Sequence, residues 1–87
     1  MIMEMCALFD AATHMYGRPF FVVHTAQAVR GFRDAILKGE RDDDVAKHPD
    51  DFSLYYLGRF DDNSGRFELL QDHQLLARGK DVKEAQS

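Results

Sequence analysis

The side chains best able to do chemistry in this chain are scattered carboxylates, four histidines and one thiol, and their spacing limits each of them. Asp61, Asp62, Asn63 and Glu68 carry the oxygens that a hard cation such as calcium favours. Gly65, however, does not fall at the sixth position of an EF-hand loop begun at either aspartate. The run Asp61-Asp62-Asn63-Ser64-Gly65 therefore reads as a reverse turn, because these residue types cap or tolerate tight backbone. Asp42 to Asp44 are consecutive and cannot converge on one ion without help from elsewhere, so they read as a solvated acidic loop. His14, His24, His48 and His73 form no i, i+4 pair and have no cysteine partner of the kind a zinc site needs. Cys6 lies in an apolar stretch where a buried, inert thiol is the ordinary outcome, not a nucleophile. Gly31 is isolated inside a helical pattern, and no glycine-rich run opens a helix, which disfavours a phosphate loop. The sequence thus predicts a noncatalytic protein with no cofactor and no metal.

Aromatic and cationic residues offer a different chemistry, that of recognition. Phe20, Phe21, Tyr55, Tyr56, Phe60 and Phe67 are stacking surfaces of the kind single-strand binders use, and Arg18, Arg59 and Arg66 lie near them in sequence. Alternation along strands divides the rings between two faces, so most are expected in the core and about one or two outward. Arg18, Tyr55, Arg59 and Arg66 are the candidate contacts for nucleic acid or a protein partner.

The elements that must position these groups can be read along the chain. Ile2 to Phe9 is predicted to be a strand, with Met3, Met5, Ala7 and Phe9 on one face at period two. Asp10 to Gly17 reads as a connection. Pro19 precedes a β-branched and aromatic run, Phe20 to Val23, which is expected to pair with the first strand as a hairpin. Thr25 is the expected N-cap of a helix over Ala26 to Lys38. Ala28, Val29, Phe32, Ala35 and Ile36 form its apolar side, and Arg30, Asp34 and Lys38 form an i, i+4 series on another. Gly39 is expected at the left-handed C′ position.

Charge dominates Glu40 to Asp51, and Pro49 forbids an ordinary helix interior, so a loop with room for one short helical turn is expected there. Leu54 to Phe60, the Asp61 to Gly65 turn and Phe67 to Leu70 then form a second hairpin. Leu75 to Ala77 read as a final docked element. Arg78 onward is polar, and the spacing of Asp81 and Glu84 permits a short terminal helix. The predicted fold class is α+β: a two-layer ββαββ sandwich of antiparallel hairpins packed on one helix, with one sheet face free. Residues 1–78 make a single domain and 79–87 a polar C-terminal tail.

Composition narrows the setting. Eighty-seven residues, 45% of them hydrophobic, suit one small core, whose thin margin makes a homodimer plausible. A lone cysteine fits a reducing cytoplasm, and the absence of a basic n-region or a long apolar run predicts a protein neither secreted nor membrane-embedded. Fifteen acidic residues against eleven basic give a net charge of −4, which opposes long-range attraction to phosphate backbones and makes any nucleic-acid contact local.

Two passages resemble a known family. Pro19-Phe20-Phe21 through Ala28-Val29-Arg30-Gly31-Phe32, and His48-Pro49-Asp50-Asp51-Phe52 through Leu54-Tyr55-Tyr56-Leu57-Gly58-Arg59-Phe60-Asp61-Asp62-Asn63-Ser64-Gly65, are similar to the small nonstructural protein of gokushovirus-type microviruses. These are tailless phages with circular single-stranded DNA. The resemblance covers about residues 1 to 70 and rests on the combination of the His-Pro, Leu-Tyr-x-Leu-Gly and Phe-Asp-Asp-x-x-Gly elements. It implies a nonstructural, DNA-binding protein at the switch to single-stranded genome synthesis and packaging, in the cytoplasm of the infected bacterial host. It carries over no catalytic residue. Single-stranded DNA and phage or host replication and assembly proteins are the implied partners. The alternative is a dimeric protein–protein interaction or assembly factor without direct DNA contact.

Overall fold

The computed structural model describes residues 1–39 and 43–85. In chain order the elements are β1 (Ile2–Asp10), β2 (Met15–Tyr16), β3 (Phe20–Val22), α1 (Thr25–Lys38), α2 (Asp44–Lys47), a single 3-10 turn (Pro49–Asp51), β4 (Phe52–Asp61), β5 (Arg66–Arg78) and α3 (Gly79–Ala85). All strands join one antiparallel sheet. β1 and β4 run through its middle and β5 forms one edge, while β2 and β3 lie end to end against the other side of β1.

The α+β class and both hairpins match the sequence reading, but the arrangement is richer than ββαββ. The connection expected over Asp10 to Gly17 contains β2, made possible by His14, whose φ of 58° reverses the chain in the left-handed region that histidine tolerates better than most residues. The expected docked segment Leu75 to Ala77 is instead the end of β5, a 13-residue strand. The loop after α1 holds α2, begun by the Asp43 carboxylate, which accepts the Val45 N–H at 3.0 Å. Residues 40–42 of that predicted loop, and with them the first residue of the Asp42 to Asp44 run, lie outside the described residues.

α1 starts one residue earlier than expected and is not capped by Thr25. The Gln27 side chain folds back instead, and its carbonyl oxygen accepts the backbone N–H groups of Val23 (3.0 Å) and His24 (3.2 Å), one arm of a capping box. Gly39 is likewise not left-handed: its φ and ψ are −65° and 154°. A Cβ there would lie 2.0 Å from the Ala35 carbonyl oxygen and 2.7 Å from the Ala46 Cβ, so glycine serves close packing of α2 on the end of α1.

Met5 (6% exposed) and Ala7 (1%) are buried on the helix-free side of β1, while the main core lies between the sheet and the helices. Leu54 and Cys6 are fully buried at its centre, joined by Ala28 and Phe32 of α1, Val45 of α2 and Val82 of α3. Val29, Ala35 and Ile36 complete the apolar side of α1 as its spacing predicts. α3 covers part of the stretch expected as a polar tail, and its Val82 is only 3% exposed. The predicted period-two face of β1, Met3 to Phe9, points away from the helices. Cys6 and Leu8 face them.

One irregularity in β4 determines which side chains share a face. Tyr56 pairs with Cys6 and Gly58 with Met5, leaving Leu57 without a partner in β1. On the other side Tyr56 pairs with Gln74 and Gly58 with Leu69, so residues 70–73 of β5 stand opposite Leu57 alone. A bulge of this kind shifts the side-chain alternation by one residue. Tyr55 and Phe60, five positions apart, therefore share the helix-free face, while Tyr56 and Arg59 share the helix-covered one.

Candidate nucleic-acid and partner interface

The helix-free face of the sheet carries two ring clusters. At one end Phe9, Tyr16 and Tyr55 pack with centroids 4.9 to 6.3 Å apart, and His73 of β5 meets Tyr16 edge-on at 5.1 Å. The His73 Nδ1 lies 3.1 Å from the Tyr16 hydroxyl. Tyr16 and His73 belong to opposite edges of the sheet, so the sheet curls until its edges meet over this face. At the other end Phe60 lies between Phe21 and Phe67, with centroids 5.9 and 4.8 Å away. Such tilted and edge-on rings each add roughly 0.5–1.5 kcal/mol beyond area burial, so both clusters hold their shape without a helix behind them.

The opposite face holds a polar network beside the start of α1. Tyr56 donates its hydroxyl hydrogen to Glu4, and Arg59 pairs with the same carboxylate at 3.4 Å. Burial, and then the hydrogen bond to Glu4, push the Tyr56 phenol above its ordinary range. Tyr56, followed by the Glu4 charge, raises the Arg59 guanidinium. Burial, with Glu4 second, also raises the Cys6 thiol, so the sulfur stays protonated and is a poor nucleophile. Glu4, Tyr56 and Arg59 line an open cleft of about 540 Å³ together with His24, Thr25 and Gln74. The cleft carries one carboxylate against one guanidinium already bound to it. Among the described residues no three His, Cys, Asp or Glu side chains gather where they could hold a metal ion.

The candidate contacts Arg18, Tyr55, Arg59 and Arg66 do not come together. Tyr55 stands in the Phe9–Tyr16 cluster on the helix-free face. Arg18 is exposed in the short connection between β2 and β3, two residues after Tyr16, and no acidic side chain among the described residues is within ion-pair distance of it. Arg59 and Arg66 are on the other face, lining a smaller cleft with Asp61 and Glu68. Plain alternation would put Tyr55 and Arg59 on one side, and the Leu57 bulge separates them. Tyr16 and His73 were absent from the candidate set because a two-residue strand and a strand interrupted by Gln71-Asp72-His73 give almost no periodic signal.

The sequence matches the family described as phage ORF5 protein over residues 3–82. The chain belongs to that family. The ORF5 match runs through β5 into α3, further than the resemblance read from motifs alone. A relative in Chlamydia phage 1, a gokushovirus, is named Protein ORF5 and is 30% identical over 63 residues, covering 70% of this chain and 66% of the relative. The aligned region thus spans just under two thirds of that protein. No solved structure matches this ORF5 chain. It is a phage accessory protein, similar to a small protein of gokushoviruses. Among the described residues no helix is long and apolar enough to cross a membrane.

Proposed function

We propose that this ORF5 protein is a noncatalytic accessory factor that assists single-stranded DNA genome synthesis or packaging in the cytoplasm of the infected bacterial host. It does so by binding single-stranded DNA or the replication and assembly machinery. The observation that carries this reading is the ring cluster in which exposed Tyr16 and His73 close over half-buried Tyr55 at one end of the helix-free face, with exposed Arg18 two residues after Tyr16 in the chain. Bases stack on exposed rings with little regard to sequence, and a neighbouring guanidinium meets the phosphates between them. Arg59 and Arg66, on the helix-covered face, are assigned to contact with a protein partner, away from the stacked bases.

The acidic balance of the chain makes the electrostatic part small. Each phosphate contact by a cation contributes a salt slope of about −0.7 for single strands, so a site whose guanidinium is Arg18 predicts a slope of about −0.7. Fluorescence anisotropy with a labelled single-stranded oligonucleotide at low and moderate salt tests this. Binding at tens of micromolar or tighter, weakened by Arg18→Ala and Tyr55→Ala, supports the reading. No salt-sensitive binding in that range removes the DNA role and leaves the assembly-factor reading, favoured by the outer edge of β5, which pairs with no further strand among the described residues.

A further inference from the structure

α1 presents two different surfaces side by side. Its row Gln27–Gly31–Ala35 is one wall of an apolar groove of about 260 Å³, whose other wall is Leu8, Phe20 and Val22 of the sheet. Phe20 is 37% exposed, so its ring is open to a ligand entering the groove. Gly31 keeps the helix wall low, since a Cβ there would meet nothing within 4 Å. Among the described residues β3 pairs only with β1, so the groove lies at the sheet edge formed by β2 and β3.

The next row outward on α1 is Arg30–Asp34–Lys38, each residue three positions beyond its neighbour in the groove wall. All three are exposed, as is Arg33. No acidic side chain among the described residues is within ion-pair distance of Arg30, Arg33 or Lys38. Asp34 is the single carboxylate of the helix, so α1 is locally basic in a chain whose net charge is −4. Arg30 and Lys38 stand about 12 Å apart along the helix axis. Unpaired cations in such a row attract phosphates, and an apolar slot with an open ring beside them suits a base. An acidic protein segment would satisfy the cations and leave the slot empty, whereas a nucleotide chain fills both.

We propose that the groove between β3 and α1, with Arg30 and Lys38 along its lip, is a second contact for single-stranded DNA. One base enters against Phe20, and the flanking phosphates meet the two cations. The inference rests on the DNA reading and extends it. Arg18 lies between Tyr16 and Phe20 in the chain, in the connection from β2 to β3, and so joins the ring cluster to the groove around the edge of the sheet.

Fluorescence anisotropy of the full chain with labelled oligonucleotides of about four and about twelve nucleotides, within the span of known single-strand sites, tests it. The shorter one is expected to reach the rings and Arg18 alone, with a salt slope of about −0.7. The longer one engages Arg30 and Lys38 as well, with a slope of roughly −2. Replacing both cations, Arg30→Ala with Lys38→Ala, is expected to return the longer oligonucleotide to the shallow slope and to weaken it at least about fivefold at low salt, with the shorter one unchanged. Asp34→Asn is expected to tighten the longer one. Gly31→Leu fills the groove, and the fold is retained because leucine favours helix over glycine. It is expected to weaken the longer oligonucleotide alone. Equal slopes at both lengths, or a longer oligonucleotide indifferent to Gly31→Leu, overturn the proposal while the Tyr16–Tyr55 reading stands. No binding at either length sinks both. An oligoglutamate peptide of equal charge that binds as tightly as the longer oligonucleotide would assign the cations to an acidic protein and overturn the proposal as well.

Discussion

Tyr16 and His73 stand 57 positions apart and on opposite edges of the sheet, yet the Tyr16 hydroxyl and the His73 Nδ1 are 3.1 Å apart. The contact closes the curl of the sheet over Phe9 and Tyr55. It also fixes the rings proposed above to meet DNA. A double-mutant cycle of Tyr16→Phe and His73→Ala, followed by urea unfolding, is expected to show a coupling of about 0.5–1.5 kcal/mol, the ordinary range for one hydrogen bond. Strictly additive losses would mean that the two edges are not joined in solution.

The register of β4 depends on Gly58. Its φ is 147°, and a Cβ there would fall 2.3 Å from the Glu68 carbonyl oxygen and 2.8 Å from the Leu69 Cα, both backbone atoms that cannot swing aside. Gly58→Ala is expected to destabilise the fold by at least about 1–3 kcal/mol in chemical denaturation, since such a backbone conformation is strained for any residue with a side chain. An unchanged midpoint would show that the bulge at Leu57 is not maintained by this close approach.

How much of this could be read from sequence follows from where the local signals are strong. The Asp61 to Gly65 turn was legible because its residue types fit a tight reversal, and the Gly65 N–H does donate to the Asp61 carbonyl at 2.7 Å. The apolar side of α1 was legible because Ala28 and Phe32 recur at helical spacing. The β4 bulge was not, since Leu57 continues an apolar run and only Gly58 hints at a break. That single displaced residue sends Arg59 to the far side from Tyr55 and divides the expected contact set. Tyr16 and His73 were illegible for another reason: they are brought together by the curl of the whole sheet, a long-range property that no short window contains.

The same turn predicts a pH dependence. The Asp61 carboxylate accepts the Asn63 N–H at 2.9 Å and the Ser64 hydroxyl at 3.1 Å, which lowers its pKa from 3.8. A carboxyl whose pKa is lower folded than unfolded stabilises the protein at pH above the unfolded value, and that contribution is lost as pH falls through the folded one. Asp61→Ala is therefore expected to be less stable than the wild type near pH 6, with the gap closing as the pH falls below about 4. A gap that stays constant from pH 6 to pH 2.5 would contradict the assignment.

The central claim is that the Tyr16–His73 closure over Tyr55, at one end of the helix-free face, is a binding platform. Two-dimensional NMR of the labelled protein titrated with a short single-stranded oligonucleotide tests it residue by residue. The expected result is shift changes concentrated at Arg18, Tyr16, Tyr55 and His73, with Glu4, Tyr56 and Arg59 on the helix-covered face left in place. Changes confined to the Glu4–Tyr56–Arg59 cleft, or none at all at millimolar oligonucleotide, would contradict it.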